Sequence, residues 1–369
     1  MKYRILDNEK NKIVSSEIYN HYFDKETGFS AKWGRTEEED PIMAPIGPEI
    51  ADIEISTICN GIGKSIETRK PCSWCYKSNT GCGSNMNLET FKTIFHKLPR
   101  NLTQIAFGIG DIDSNPDLWD IMSYCRNNSY NMVVPNITTN GMGVDEEVAK
   151  KLAETCGAVS VSRYHINDVC YDAIDRLSKA GLKQVNIHQL LSQENYESCF
   201  KLLDDIENDP RLKGLNAVVF LMLKPKGDRN KFHPIKDLDK FNALIKTAQD
   251  RGIRVGMDSC TAPLMLKFAE SMGQQNIISS IEPCESTLFS IYINSDAEVF
   301  PCSFTEGTTG WEKGISMLDV EDFLKDVWYS ERLEGWRSGL LESSSGCSSC
   351  ALKQHCRSCP AFDITPCRE

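Results

Sequence analysis

No stretch of this chain approaches the ~18 consecutive apolar residues that a membrane-spanning helix needs. Its opening, MKYRILDNEKNK, is charged where a secretory signal would be apolar. Neither insertion into a membrane nor export is expected, and the expected location is cytoplasmic. Basic residues are not in excess: 41 Lys and Arg stand against 52 Asp and Glu, a formal net charge of -11. That balance argues against a surface that wraps nucleic acid. Internal repeats and low-complexity tracts are missing, as are the glycine fingerprints of P-loop and dinucleotide-binding folds. Nucleotide hydrolysis and Rossmann chemistry therefore have little to stand on. With 25% charged and 40% apolar residues, the 369-residue chain reads as an ordinary globular protein of one to three domains.

Cysteine is plentiful. There are 16, of which five lie between Cys347 and Cys367. Disulfides rarely persist in a reducing compartment, so C-x-x-C pairs there point to metals or clusters. Cys59, Cys72 and Cys75 form a first group, Cys59 placed where a strand over 51–58 should end. Three thiolates are one fewer than an iron–sulfur cube or a tetrahedral zinc requires, which suggests a site left open for chemistry or completed from elsewhere. The tail supplies a second group, Cys347-x2-Cys350-x5-Cys356-x2-Cys359-x7-Cys367, preceded by Cys260, Cys284 and Cys302. Cys82, Cys125, Cys156, Cys170 and Cys199 lack partners at useful spacing and read as core or surface thiols.

Between Ala51 and Met257 strand and helix patterns alternate. Strands are expected over 51–58, 103–109, 132–138, 158–162, 184–191, 216–223 and 253–257. Helices are expected over 88–97, 116–126, 145–155, 168–180, 194–207 and 237–250. Repeated β-α units with right-handed crossovers build a parallel sheet. Six or seven units fall short of a closed eightfold barrel, so the fold class is a partial (β/α)6 TIM-like barrel. Residues 1–50, with Pro41, Pro45 and Pro48, read as a small hairpin or lid, its aromatics covering the barrel mouth or packing on the barrel wall, followed by a linker; 51–259 read as the barrel and 260–369 as a cysteine-rich tail domain. In the tail a hairpin is expected over 290–299, with helices over 318–327 and around 335–340. Ligands of such sheets sit beyond the carboxyl ends of the strands, where polar residues and glycines recur here.

These features resemble the radical S-adenosylmethionine (SAM) superfamily, whose members carry C-x3-C-x2-C after the first barrel strand. Trp74 and Tyr76 flank Cys75, and Asn60 follows Cys59, as in that family. The first gap departs from the pattern, with twelve residues, Asn60 to Pro71, in place of three. The thiolates still converge if that loop bulges outward, because closure costs grow slowly with length. The resemblance implies that Cys59, Cys72 and Cys75 hold a [4Fe–4S] cube that binds SAM. Gly110 and Asp111 stand where the family has Gly-Gly-Glu, which receives the SAM amino group. Thr138 and Asn140 belong to a similar third strand ending. Ser160 and Ser162 fall where the family contacts ribose and carboxylate, with Arg163 as a carboxylate partner. Trp74 and His188 complete the residues expected around the cofactor.

The tail resembles the SPASM extension of these enzymes, with a longer Cys284–Cys302 gap, Ala297 for a glycine and a shortened third spacing. By resemblance, Cys347, Cys350, Cys356 and Cys367 hold an outer auxiliary cluster. Cys284, Cys302 and Cys359 hold an inner one, with Cys260 as fourth ligand; if Cys260 is only a buried thiol, the inner cluster keeps an open iron. The resemblance implies SAM and three [4Fe–4S] clusters as cofactors, and an electron donor such as flavodoxin or ferredoxin. It also implies oxidative modification of a substrate by a 5′-deoxyadenosyl radical, with the auxiliary clusters as electron acceptors. A peptide or protein side chain is the expected substrate, and a small molecule the alternative. Ser303 follows Cys302 where sulfatase-maturing relatives place an aspartate. Spacing alone leaves another class open, a zinc-binding adaptor without catalysis.

Overall fold

The computed structural model describes residues 2–278, 280–343, 347 and 350–366. Four short strands, β1 (Arg4–Asp7), β2 (Asn11–Ser15), β3 (Asn20–Asp24) and β4 (Ser30–Trp33), form an antiparallel sheet. The alternating region then runs β5 (Ile50–Glu54), α1 (Leu88–Lys97), β6 (Gln104–Gly108), α2 (Leu118–Asn127), β7 (Val134–Thr139), α3 (Glu146–Thr155) and β8 (Ala158–Ser162). It continues with α4 (Asn167–Lys179), β9 (Gln184–Leu191), α5 (Tyr196–Asn208), β10 (Ala217–Met222), α6 (Leu238–Asp250) and β11 (Val255–Met257).

The seven strands β5 to β11 are parallel and neighbour one another in chain order. Right-handed crossovers in that order place all six helices on one face of the sheet. Side-chain alternation agrees. Ala51, Ile53, Ile105, Val159, Val161, Val185 and Ile187 are fully buried with Phe91, Ile121, Leu152, Ile174 and Leu202 of the helices. The intervening residues Asp52, Ala106, Asn136, Ser160, Asn186 and His188 face the other way and are incompletely covered. A sheet covered on one side only wraps around the other, giving the partial barrel.

The tail joins this sheet. β12 (Ser290–Ile293) pairs in parallel with β5, Ser290 opposite Ile50. β13 (Glu298–Phe300) and β14 (Ile315–Ser316) follow antiparallel, so ten strands share one sheet. α7 (Ala262–Ser271), α8 (Gln275–Ile278) and α9 (Glu331–Leu341) pack around it. The helix expected over 318–327 is reduced to a π-helical turn, Leu324–Trp328. Asp326 accepts from the backbone N–H of Glu321 and Asp322, folding the segment back before it can wind.

The lead corrects another expectation. Lys12 Nζ donates to the Leu102 carbonyl (2.6 Å) and to Asn131, while Gln184 Nε2 donates to the Thr27 carbonyl (2.6 Å). The Met132 N–H donates to Asp7 (3.0 Å). Those partners precede or begin β6, β7 and β9, so the first sheet closes the floor of the barrel. It does not cover the mouth, where the strands end. No helix among the described residues is long and apolar enough to cross a membrane.

Candidate active site

β5 stops at Glu54, four residues earlier than its apolar pattern suggests. Beyond it the chain pairs with its own return, Ser56 with Asn85 and Ile58 with Thr80. Cys59 therefore sits in a loop above the mouth, its N–H on the Thr80 carbonyl (2.7 Å). The twelve-residue insertion is a folded hairpin. Ile62 and Lys70 exchange two backbone hydrogen bonds of 3.1 Å, and a 3-10 turn at Ile66–Thr68 forms the tip. Gly61 has φ of +82°, and a Cβ there would lie 1.9 Å from the Lys70 carbonyl oxygen. Because the neck is closed, Cys59 and Cys72 end near each other despite the long gap.

The three thiols lie within reach of one another's charge. Burial, then the neighbouring sulfurs Cys59 and Cys75, push the Cys72 thiol up to about 12. Cys59 is raised by burial and by Asp111. Yet among the described residues no three His, Cys, Asp or Glu side chains gather tightly enough for a single metal ion. Three thiols within reach of one another's charge are a ligand set that a thiolate-held cluster can use.

Asp111, 1% exposed, is the hub beside them. Its Oδ2 accepts from the Asn60 N–H and Nδ2, both 2.8 Å, and pairs with Arg69 at 3.2 Å. Its Oδ1 accepts from Asn140 Nδ2 (2.8 Å), which also lies 3.7 Å from Cys59 Sγ. Three donors crowd Oδ2 and one meets Oδ1, so Asp111 anchors the cysteine loop while Oδ1 keeps one acceptor position. Arg69 comes from the insertion, and its buried Nε has no partner. Gly110 leaves room for Cys59: a Cβ there would fall 2.5 Å from the cysteine Cβ and 2.6 Å from its sulfur.

Thr138, Ser160, Ser162 and His188 face the interior, half-buried. Burial lowers the His188 imidazole to about 4, leaving it neutral at pH 7. Arg163 is a correction. Alternation turns it outward, where it bonds Tyr171 (3.0 Å), Gln189 (2.9 Å) and Ser198 (2.9 Å), so it is unavailable to a cofactor carboxylate. Trp74 stacks on Phe232, centroids 5.3 Å apart, and meets Tyr164 and His165.

Two groups at the mouth went unseen in the sequence. In the loop after β10, a Cβ on Gly227 would meet the Cys75 carbonyl at 2.2 Å, and Arg229 bonds the Asn79 carbonyl (2.9 Å) while facing that of Cys72. Lys77 joins Glu54 (3.1 Å), Tyr292 (2.8 Å) and Glu306, tying the cysteine loop to the tail. Only the run Lys224-Pro-Lys-Gly-Asp-Arg-Asn, a strand end rich in charge, hinted at the first.

In the tail, Cys260, Cys284, Cys302 and Cys359 are linked by charge. Burial raises Cys284 to about 12 and Cys302 to about 11, with the neighbouring thiols adding to each. Burial also raises Cys260, where Lys224 opposes the shift and Cys284 and Cys302 add to it. Cys350 donates its N–H to the Cys347 carbonyl (3.3 Å), and Cys350 and Cys356 pack on Leu266, Ala269, Ile278 and Leu352. Cys367 lies outside the described residues. Cys125, Cys156, Cys170 and Cys199 are buried and Cys82 is exposed.

No family model and no curated protein sequence matches the chain. Solved structures do. The structure of Streptococcus suis SuiB bound to precursor peptide SuiA superposes with a TM-score of 0.72 at 14% identity, covering 99% of this chain and 100% of that one. The fold is that of a SPASM-type radical SAM enzyme. Native anSMEcpe with bound AdoMet and Cp18Cys peptide gives a TM-score of 0.61 at 16% identity, covering 86% of this chain and 93% of that one.

Proposed function

We propose that this chain is a radical SAM enzyme that modifies a peptide or protein side chain, with Cys59, Cys72 and Cys75 as the cluster ligands. The observation that carries the reading is the convergence of these thiols, across a closed hairpin, onto Gly110, Asp111 and Asn140 at the mouth. SuiB with its precursor peptide and anSMEcpe with AdoMet and peptide support the cofactor and the substrate class. When bound, the cluster and SAM would supply reductive cleavage to a 5′-deoxyadenosyl radical.

The residues divide the remaining work. Asn140 holds Cys59 through its sulfur and Asp111 through its carboxylate. Arg69, nine-tenths buried with an idle Nε, would offer its remaining donors to the carboxylate of SAM. Trp74, Tyr164 and Phe232 form an aromatic wall that excludes water. Thr138, Ser160, Ser162 and His188 would line the cofactor and substrate space. Cys260, Cys284, Cys302 and Cys359 would hold an inner auxiliary cluster. Cys347, Cys350, Cys356 and Cys367 would hold an outer one, both accepting electrons from the oxidised substrate. A flavodoxin or ferredoxin would supply the reducing electron.

Anaerobic reconstitution tests this reading. The protein should carry about twelve irons and release 5′-deoxyadenosine on reduction with SAM. Cys75→Ala should abolish that product and keep about eight irons. Undiminished cleavage in the variant, or a colourless zinc protein, would overturn the assignment.

A further inference from the structure

Four acids around the strand ends are paired with lysine or arginine. Glu54 and Glu306 meet Lys77, Asp111 meets Arg69, and Asp258 meets Lys224. Asp52 is not. It lies on β5 between Ala106 of β6 and Tyr292 of β12, on the face opposite Ala51 and Ile53. Its carboxylate is open to the barrel interior, with neither a hydrogen bond nor an ion pair among the described residues. Protein surrounds it at longer range, so desolvation alone raises its carboxyl to about 6. On this wall Asn136, Ser160, Asn186 and His188 are neutral at pH 7, and Lys77, which reaches it at Tyr292, is held by Glu54 and Glu306.

A carboxylate that stands open on a concave wall without a partner is free to pair with an arriving cation. A cation carried by a ligand could thereby be told from a neutral isostere. We propose that Asp52 is the recognition point, inside the barrel, for a positively charged group of the substrate. Since the barrel interior is read as the substrate site, this proposal rests on the peptide-modifying function above. Its ligand is a lysine, arginine or other alkylammonium side chain entering from the mouth.

A random-peptide display library, selected anaerobically against the cluster-loaded protein with SAM, tests it. Peptides retained by the native chain should be enriched about tenfold in Lys and Arg at one position, a discrimination that one ion pair supplies. Asp52→Glu should keep that enrichment and Asp52→Asn should lose it. A thermal melt and the iron content establish that both variants are folded and loaded. Binders without basic enrichment, or equal enrichment with Asp52→Asn, overturn the role of Asp52 and leave the peptide reading intact. Absence of any binder to the native chain overturns the peptide reading, and this proposal with it.

Discussion

Asp111, with three donors on Oδ2 and one on Oδ1, balances the buried guanidinium of Arg69. Removing its charge leaves the guanidinium of Arg69 buried and unpaired, a loss of roughly 3–5 kcal/mol. Asp111→Asn should therefore lower the denaturation midpoint clearly. Arg69→Met should instead weaken SAM binding, measured by titration of the loaded protein, by about tenfold. Gly110→Ala forces a methyl group onto Cys59. It should lose the iron of the first site while the tail keeps its own, as read by iron content and EPR. Glycine and acid side by side were legible in the sequence; what the acid would bind was not. That depended on Asn60 and Arg69, whose approach is set by a hairpin that no local pattern announces.

At the scale of elements, the barrel strands and helices were legible because apolar alternation and helix caps mark them. In the structure Asn87 and Asp145 cap α1 and α3, through the N–H groups of Thr90 and Val148. The end of β5 was misread because Ile55 and Ile58 continue the apolar pattern after the backbone has left the sheet. The inserted hairpin depends on its closed neck. Gly61→Ala should break it and expose 64–70 to protease, with cleavage products read by mass spectrometry. The floor sheet was misplaced as a lid, since sequence does not tell which barrel end a preceding segment meets. Its His21, 1% exposed, is lowered by burial to about 3 against an ordinary 6.5. Lys32 and Lys12 add to the shift, so its 3.6 Å approach to Glu49 is not an ion pair at neutral pH. Between those values the unfolded chain binds a proton that the folded chain does not. Stability should be full above pH ~6.5 and fall toward pH 3, and His21→Gln should flatten that slope in denaturant titrations.

For the whole molecule, order in the tail is distributed unevenly. Residues 350–366 hold only one 3-10 turn, Lys353–His355, and of their apolar side chains only Leu352 and Ile364 are buried. A segment so poor in core would depend for its shape on the cluster proposed for it. Stripping the iron with a chelator under oxidising conditions should make 350–366 the first region cut in limited proteolysis. The helices of the barrel should stay intact. The class of fold followed from cysteine spacing and β-α alternation together. The substrate did not, because the inward-facing side chains come from strands far apart in the sequence.

The parallel pairing of β12 with β5 also carries a consequence for biogenesis. During synthesis the first barrel strand emerges early, with β6 to flank it on one side. Its other flank stays a bare ladder of amides and carbonyls until residues 290–293 arrive, when most of the polypeptide has been made. A nascent chain that stalls or is truncated before that point displays an adhesive margin, and aggregation should begin there.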